Sequence, residues 1–101
     1  MWVVVLFDLP VSTRDAARRA TKFRNFLVDS GFWMKQFSVY MKYFENREKA
    51  EVAAGHIKGH VPYKGSVTIL FITDRQFGKA LNFYGERKLE NDKKPSQLAL
   101  F

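Results

Sequence analysis

An α+β domain, with an antiparallel sheet carrying two helices on one face, is predicted by three features of the sequence. Segments rich in β-branched and aromatic residues alternate with segments whose apolar positions recur at helical spacing. Their order through Thr73 reads β, α, β, β, α, β. A chain of 101 residues is long enough for one core, burying roughly 60–70% of the surface its unfolded form exposes. The split βαβ, or ferredoxin-like, arrangement is the economical way to fold that order.

Each element has its own signal. Met1 to Leu9 is nearly continuously apolar and β-branched until Asp8, which reads as a strand buried on both faces and stopped by Pro10. Ser12 followed by Asp15 resembles a capping box, so a helix is expected from Arg14 to Ser30. Along it Ala16, Ala20, Phe23 and Leu27 share one face, Arg14, Arg18 and Lys22 share another, and Gly31 ends the run. Phe32 to Phe44 is too long for one ordinary strand and splits near Gln36 to Ser38 into a hairpin. Asn46 is the expected N-cap of a second helix, with Ala50, Ala53, Ala54 and Ile57 inward and Gly59 and Pro62 beyond its end. Ser66 to Thr73 is a strand with Val67, Ile69 and Phe71 on one side and Leu70 and Ile72 on the other, after the turn residue Gly65. Residues 1–79 therefore form the core. In the segment 80–101, Ala80 to Tyr84 is expected as an extra strand, and the apolar Gln97 to Phe101 as a segment docking on a sheet edge, its own or a partner's.

Composition narrows the chemistry. There is no cysteine, which removes disulfides, thiolate catalysis and thiolate metal sites. The longest apolar run, Met1 to Phe7, is too short to span a membrane or serve as a secretory leader, so a cytoplasmic location is expected. Seventeen Lys and Arg against ten Asp and Glu leave a net charge of +7, which points to a polyanionic partner. The excess is concentrated in Arg14, Arg18, Arg19, Lys22 and Arg24, with Asp15 the only acid among them. Guanidinium matches phosphate bidentately, so this segment is expected to contact nucleic-acid phosphates, with Lys35, Lys42 and Lys64 extending it. Aromatic residues make up 16% of the chain, more than one small core needs. The surplus predicts an interface between subunits, with Phe37, Tyr40, Phe83, Leu98 and Leu100 contributing to it.

No nucleophilic serine motif, P-loop, glycine fingerprint or EF-hand loop is present. His56 and His60 are four apart at the end of the second helix and lack a third ligand. Tyr40 and Tyr43 are candidates for base stacking as well as for packing. Asp8, at the C-terminal end of the first strand, is either a turn carboxylate or a catalytic metal ligand. Mg2+ takes only one or two protein carboxylates when phosphate supplies the rest, and a two-fold dimer would pair two copies of Asp8.

Val4-Val5-Leu6-Phe7-Asp8-Leu9-Pro10, the run Lys22-Phe23-Arg24-Asn25-Phe26-Leu27, Gly31-Phe32 through Met34 to Gln36-Phe37-Ser38-Val39-Tyr40, and Lys64-Gly65 to Thr73 followed by Asp74-Arg75-Gln76-Phe77 occur in an order and spacing that resembles the CRISPR-associated Cas-two family, its type II branch in particular. Thr21 departs from the pattern, in which an aromatic residue often precedes the basic-Phe-Arg run. The resemblance implies a homodimer whose C-terminal strands complete the partner's sheet. It implies a part in CRISPR adaptation, in which the dimer binds the double-stranded DNA of the incoming spacer and bridges dimers of a CRISPR integrase. It also implies a magnesium-dependent endonuclease acting on DNA or single-stranded RNA, with Asp8 as both catalytic residue and Mg2+ ligand.

Overall fold

The computed structural model describes residues 1–85. Its elements run β1 (Trp2–Asp8), α1 (Arg14–Asp29), β2 (Trp33–Gln36), β3 (Val39–Tyr43), α2 (Arg47–Lys58), β4 (Ser66–Ile72) and α3 (Asp74–Gly78). The strands form one four-stranded sheet in the order β2-β3-β1-β4, and each neighbouring pair is antiparallel. That is the expected split order, with β1 and β3 as the two inner strands and β2 and β4 at the edges.

Alternation along β1 sorts the core. Val3 and Val5 point to the side of the helices, where they join Phe23 and Leu27 of α1, Ala50 and Ile57 of α2, Phe32 and Tyr40 in one buried cluster. Val67, Ile69 and Phe71 of β4 pack against its edge. The register sets Trp2 opposite Tyr43 and Ile72, and Val4 opposite Met41 and Leu70. These residues therefore share the other face, free of the long helices. Trp2 makes edge contacts with Trp33 and Tyr43 at centroid separations of 6.4 and 5.3 Å, and a tilted contact with Phe77 at 4.6 Å. Its Nε1 also donates to Asp74 Oδ1 at 3.0 Å. α3 is thereby tied down on β1, and its own first turn is closed by a reciprocal capping box between Thr73 and Gln76.

Three local readings change. The cap of α1 is Thr13, whose hydroxyl accepts from Ala16 N–H at 3.1 Å, and not Ser12. The hydroxyl reaches the N3 amide only from the residue immediately before the helix, and α1 begins at Arg14. The hairpin turn is Phe37-Ser38, with Ser38 at φ 63°, and a register shift between Met34 and Gln36 bends β2. Ala80 to Tyr84 pairs with no strand in the single chain; Asn82 is instead held by Lys35, whose Nζ donates to Oδ1 at 3.0 Å. A strand exists only beside a ladder partner, and none lies along this segment among the described residues. Leu98 and Leu100 lie outside the described residues.

Candidate nucleic-acid interface

The charged face of α1 is smaller than its charge count. At about 100° per residue, Arg14, Arg18 and Lys22 lie on one crest opposite the buried Ala16, Ala20, Phe23 and Leu27. Arg19 and Arg24 fall on opposite flanks of the helix, and both are half-buried. The five cations are therefore a three-residue ridge and two flanking groups. Arg18 pairs with Asp15 at 3.0 Å, but both side chains are largely exposed, so exchanging the carboxylate for a phosphate costs under about 1 kcal/mol.

Lys35 and Lys42 do not extend that ridge. Lys35 sits on β2 and is engaged with Asn82. Lys42, on β3, donates to the Ser30 carbonyl at the end of α1 at 2.8 Å and lies over the Phe44 ring. It satisfies an orphan carbonyl and complements the negative end of the helix dipole, a structural task. Its ammonium comes within 2.8 Å of where a Cβ on Gly31 would stand, so the glycine makes room for it.

Asp8 ends β1 opposite Ser66 and is exposed, and its side chain shares a face with Trp2, Val4 and Leu6. Among the described residues its carboxylate has no hydrogen-bond or ion-pair partner. No group of three metal-ligating side chains occurs among those residues either. His60 is stacked on Phe26 at 3.7 Å, with its Nδ1 at 2.9 Å from the His56 carbonyl oxygen. Both histidines line a cleft of about 390 Å³ floored by Phe26, Phe32 and Phe44 on the helix side of the sheet, away from the face that carries Asp8.

The backbone around Asp8 is fixed by Gly65. This residue has φ +98°, and a Cβ there would meet the Asp8 carbonyl oxygen at 2.9 Å and Leu9 Cδ2 at 2.7 Å. Gly65→Ala is expected to cost about 1–3 kcal/mol, from a left-handed conformation and a clash with backbone that cannot swing away. A thermal melt checks this, and an unchanged midpoint would mean that the loop accommodates the methyl group.

The aromatic residues singled out by sequence separate by depth. Tyr40 is 2% exposed and stacked on Phe7 at 5.7 Å; its place in the subunit's own core removes it from the expected interface. It fails there because its strand position shares Val5's face, toward the helices. Tyr43 is engaged with Trp2. Phe37 and Phe83 are 84% and 82% exposed. Sequence reasoning passed over Tyr63, which is exposed in the loop before β4 beneath the guanidinium of Arg19 at 4.9 Å. An aromatic between Pro62 and Lys64, in a segment with neither helical nor strand period, was the signal available.

Comparison with known proteins adds a family to these features. The family model of the CRISPR associated protein Cas2 matches residues 1–80. A CRISPR-associated endoribonuclease Cas2 of Flavobacterium psychrophilum is 44% identical over all of this chain and 88% of its own length. One from Parvibaculum lavamentivorans is 41% identical over the full length of both. The crystal structure of Streptococcus pyogenes Cas2 at pH 6.5 superposes with a TM-score of 0.61 at 15% identity, covering 83% of this chain and all of that one. The last is a likeness of fold alone.

Proposed function

The chain belongs to the Cas2 family of CRISPR-associated proteins, and from that premise we propose that it acts in CRISPR adaptation as a homodimer that binds double-stranded spacer DNA and bridges dimers of the CRISPR integrase. The observation that carries this reading is the Arg14, Arg18 and Lys22 ridge on α1. It is regular, solvent-facing and wholly cationic, which suits contact with the regularly spaced phosphates of a duplex. The open sheet face supports dimerisation. Trp33, Tyr43 and Leu70 are each close to half exposed there, an apolar patch of the kind a second subunit covers.

Replacing Arg18 and Arg19 together by Ala is expected to flatten the dependence of log K on log salt by about 0.9 for each phosphate that is no longer neutralised, with any sequence preference unaltered. Fluorescence anisotropy on a short duplex at a series of salt concentrations measures it. An unchanged slope would remove these arginines from the interface. Co-elution of the chain with the integrase and a short duplex as one complex tests the bridging role.

A second reading, a metal-dependent endonuclease, is favoured by Asp8, exposed and without a partner among the described residues. Among the described residues one subunit offers a single carboxylate at this place, the least that holds Mg2+ with phosphate supplying the rest. Asp8 shares the face of Trp2 and Val4, so a two-fold axis passing beside the end of β1 on that face would bring two copies together, and two carboxylates fit Mg2+ with water and phosphate completing the shell. Bound there, Mg2+ would act as a Lewis acid on a phosphodiester. The two Asp8 side chains would hold it, and the α1 cations would keep the strand in place.

A further inference from the structure

We propose that Tyr63 is a stacking platform for one unpaired base of a single-stranded nucleic acid. The inference rests on the nucleic-acid reading above and adds a selectivity for single strands that neither the ridge nor Asp8 supplies. Tyr63 is 77% exposed and contributes nothing to the buried cluster, yet it is not free to wander. Upstream, His60 N–H donates to the Ile57 carbonyl at 2.9 Å and its ring lies flat on Phe26. Downstream, Gly65 is wedged against the Asp8 carbonyl and Leu9. A loop pinned at both ends keeps the Tyr63 backbone beside the flank of α1.

The surroundings of the ring are cationic. Arg19 Cζ stands 4.9 Å and Lys64 Nζ 5.8 Å from its centroid, and neither makes an ion pair among the described residues. The flank of α1 continues the track, where Arg19, Lys22, Phe26, His60 and Pro62 line a cleft of about 280 Å³. Both cations lie over the ring, so a base would stack by displacing one of them, with that cation turning to a neighbouring phosphate; an exposed aromatic with mobile cations beside it suits single strands, since every base has a π face to stack and a paired base has none to spare. Ser66, the ladder partner of Asp8, follows Tyr63 by three residues, at most about 11 Å of chain.

The test is anisotropy without metal, using a fluorescein-labelled single-stranded RNA, the same strand with one abasic position, and a blunt duplex. Tyr63→Ala should weaken the intact strand by about 5- to 150-fold and leave the duplex within twofold. Tyr63→Phe should bind both as the parent does, because stacking needs no hydroxyl. The parent should lose affinity for the best-placed abasic strand, and Tyr63→Ala should not. Equal losses on single strand and duplex, or none on either, would overturn the platform. So would a defect confined to integrase co-elution, which would make Tyr63 a protein contact. If the parent chain binds neither nucleic acid, the wider reading falls as well; if it binds and Tyr63→Ala matches it, the platform alone falls.

Discussion

Phe23→Ala is expected to destabilise the protein by about 3–5 kcal/mol. Phe23 is 2% exposed, meets Phe7 edge-on at 5.3 Å and lies in the cluster that joins α1 to the sheet. Removing the ring leaves a cavity between a helix and β1 that neither element can fill without breaking its own hydrogen bonds. A domain of this size has on the order of 5–15 kcal/mol in total, so the variant should be marginal. Its melting midpoint should fall by at least about 12 °C, measured by circular dichroism at fixed protein concentration because dimerisation would make the midpoint concentration-dependent. Phe23→Leu should recover part of the loss. A shift under about 4 °C would mean that α1 is held by its flanks. The same result bears on function, since the Arg14, Arg18 and Lys22 ridge is the reverse side of the face that Phe23 anchors.

That duality explains how much of the fold was legible beforehand. Period in the apolar residues reports which side of an element is buried, and α1, α2, β1 and β4 all announce themselves this way. Asn46 was readable as a cap because its side chain answers a local need, accepting from Lys49 N–H at 2.9 Å. Thr13 was hidden by its neighbour, since Ser12 has equal chemistry and only the first helical turn decides between them. Tyr40 was misassigned for a different reason. Aromatic content reveals a surplus without revealing which rings supply it, and that depends on strand register, which the hairpin turn at Phe37-Ser38 sets.

Less of the site was legible. The position of Asp8 at a strand end followed from the apolar run before it. The charge on α1 was evident from composition, but its division into a ridge and two flanks is a matter of angle around the helix, and Arg24 lies far around from Arg19. The engagement of Lys42 with Ser30 joins residues from separate elements, and Tyr63 acquires its cations in the same way. Tertiary juxtapositions of this kind leave no periodic trace in the sequence.

Asp8→Asn is expected to lower any phosphodiester cleavage by about a thousandfold or more, equivalent to the several kcal/mol a divalent ion contributes as a Lewis acid. Asparagine keeps the shape of the side chain and removes its charge. Asp8 is exposed at the end of β1 and no described residue depends on its carboxylate, so the melting midpoint and dimerisation should be unaltered. Duplex affinity should hold or rise slightly, since one repulsive charge per subunit is gone. The comparison is made on purified protein with a labelled single-stranded RNA and Mg2+, beside a parent sample in chelator, which should be as slow as the variant. Cleavage at the parent rate would make Asp8 a turn carboxylate and end the nuclease reading. Loss of cleavage with spacer acquisition intact would separate the two readings, because the ridge on α1 and the open sheet face both survive the substitution. Loss of both would place the paired carboxylates within adaptation itself, as the adaptation reading requires only if the ion also fixes the DNA between the subunits.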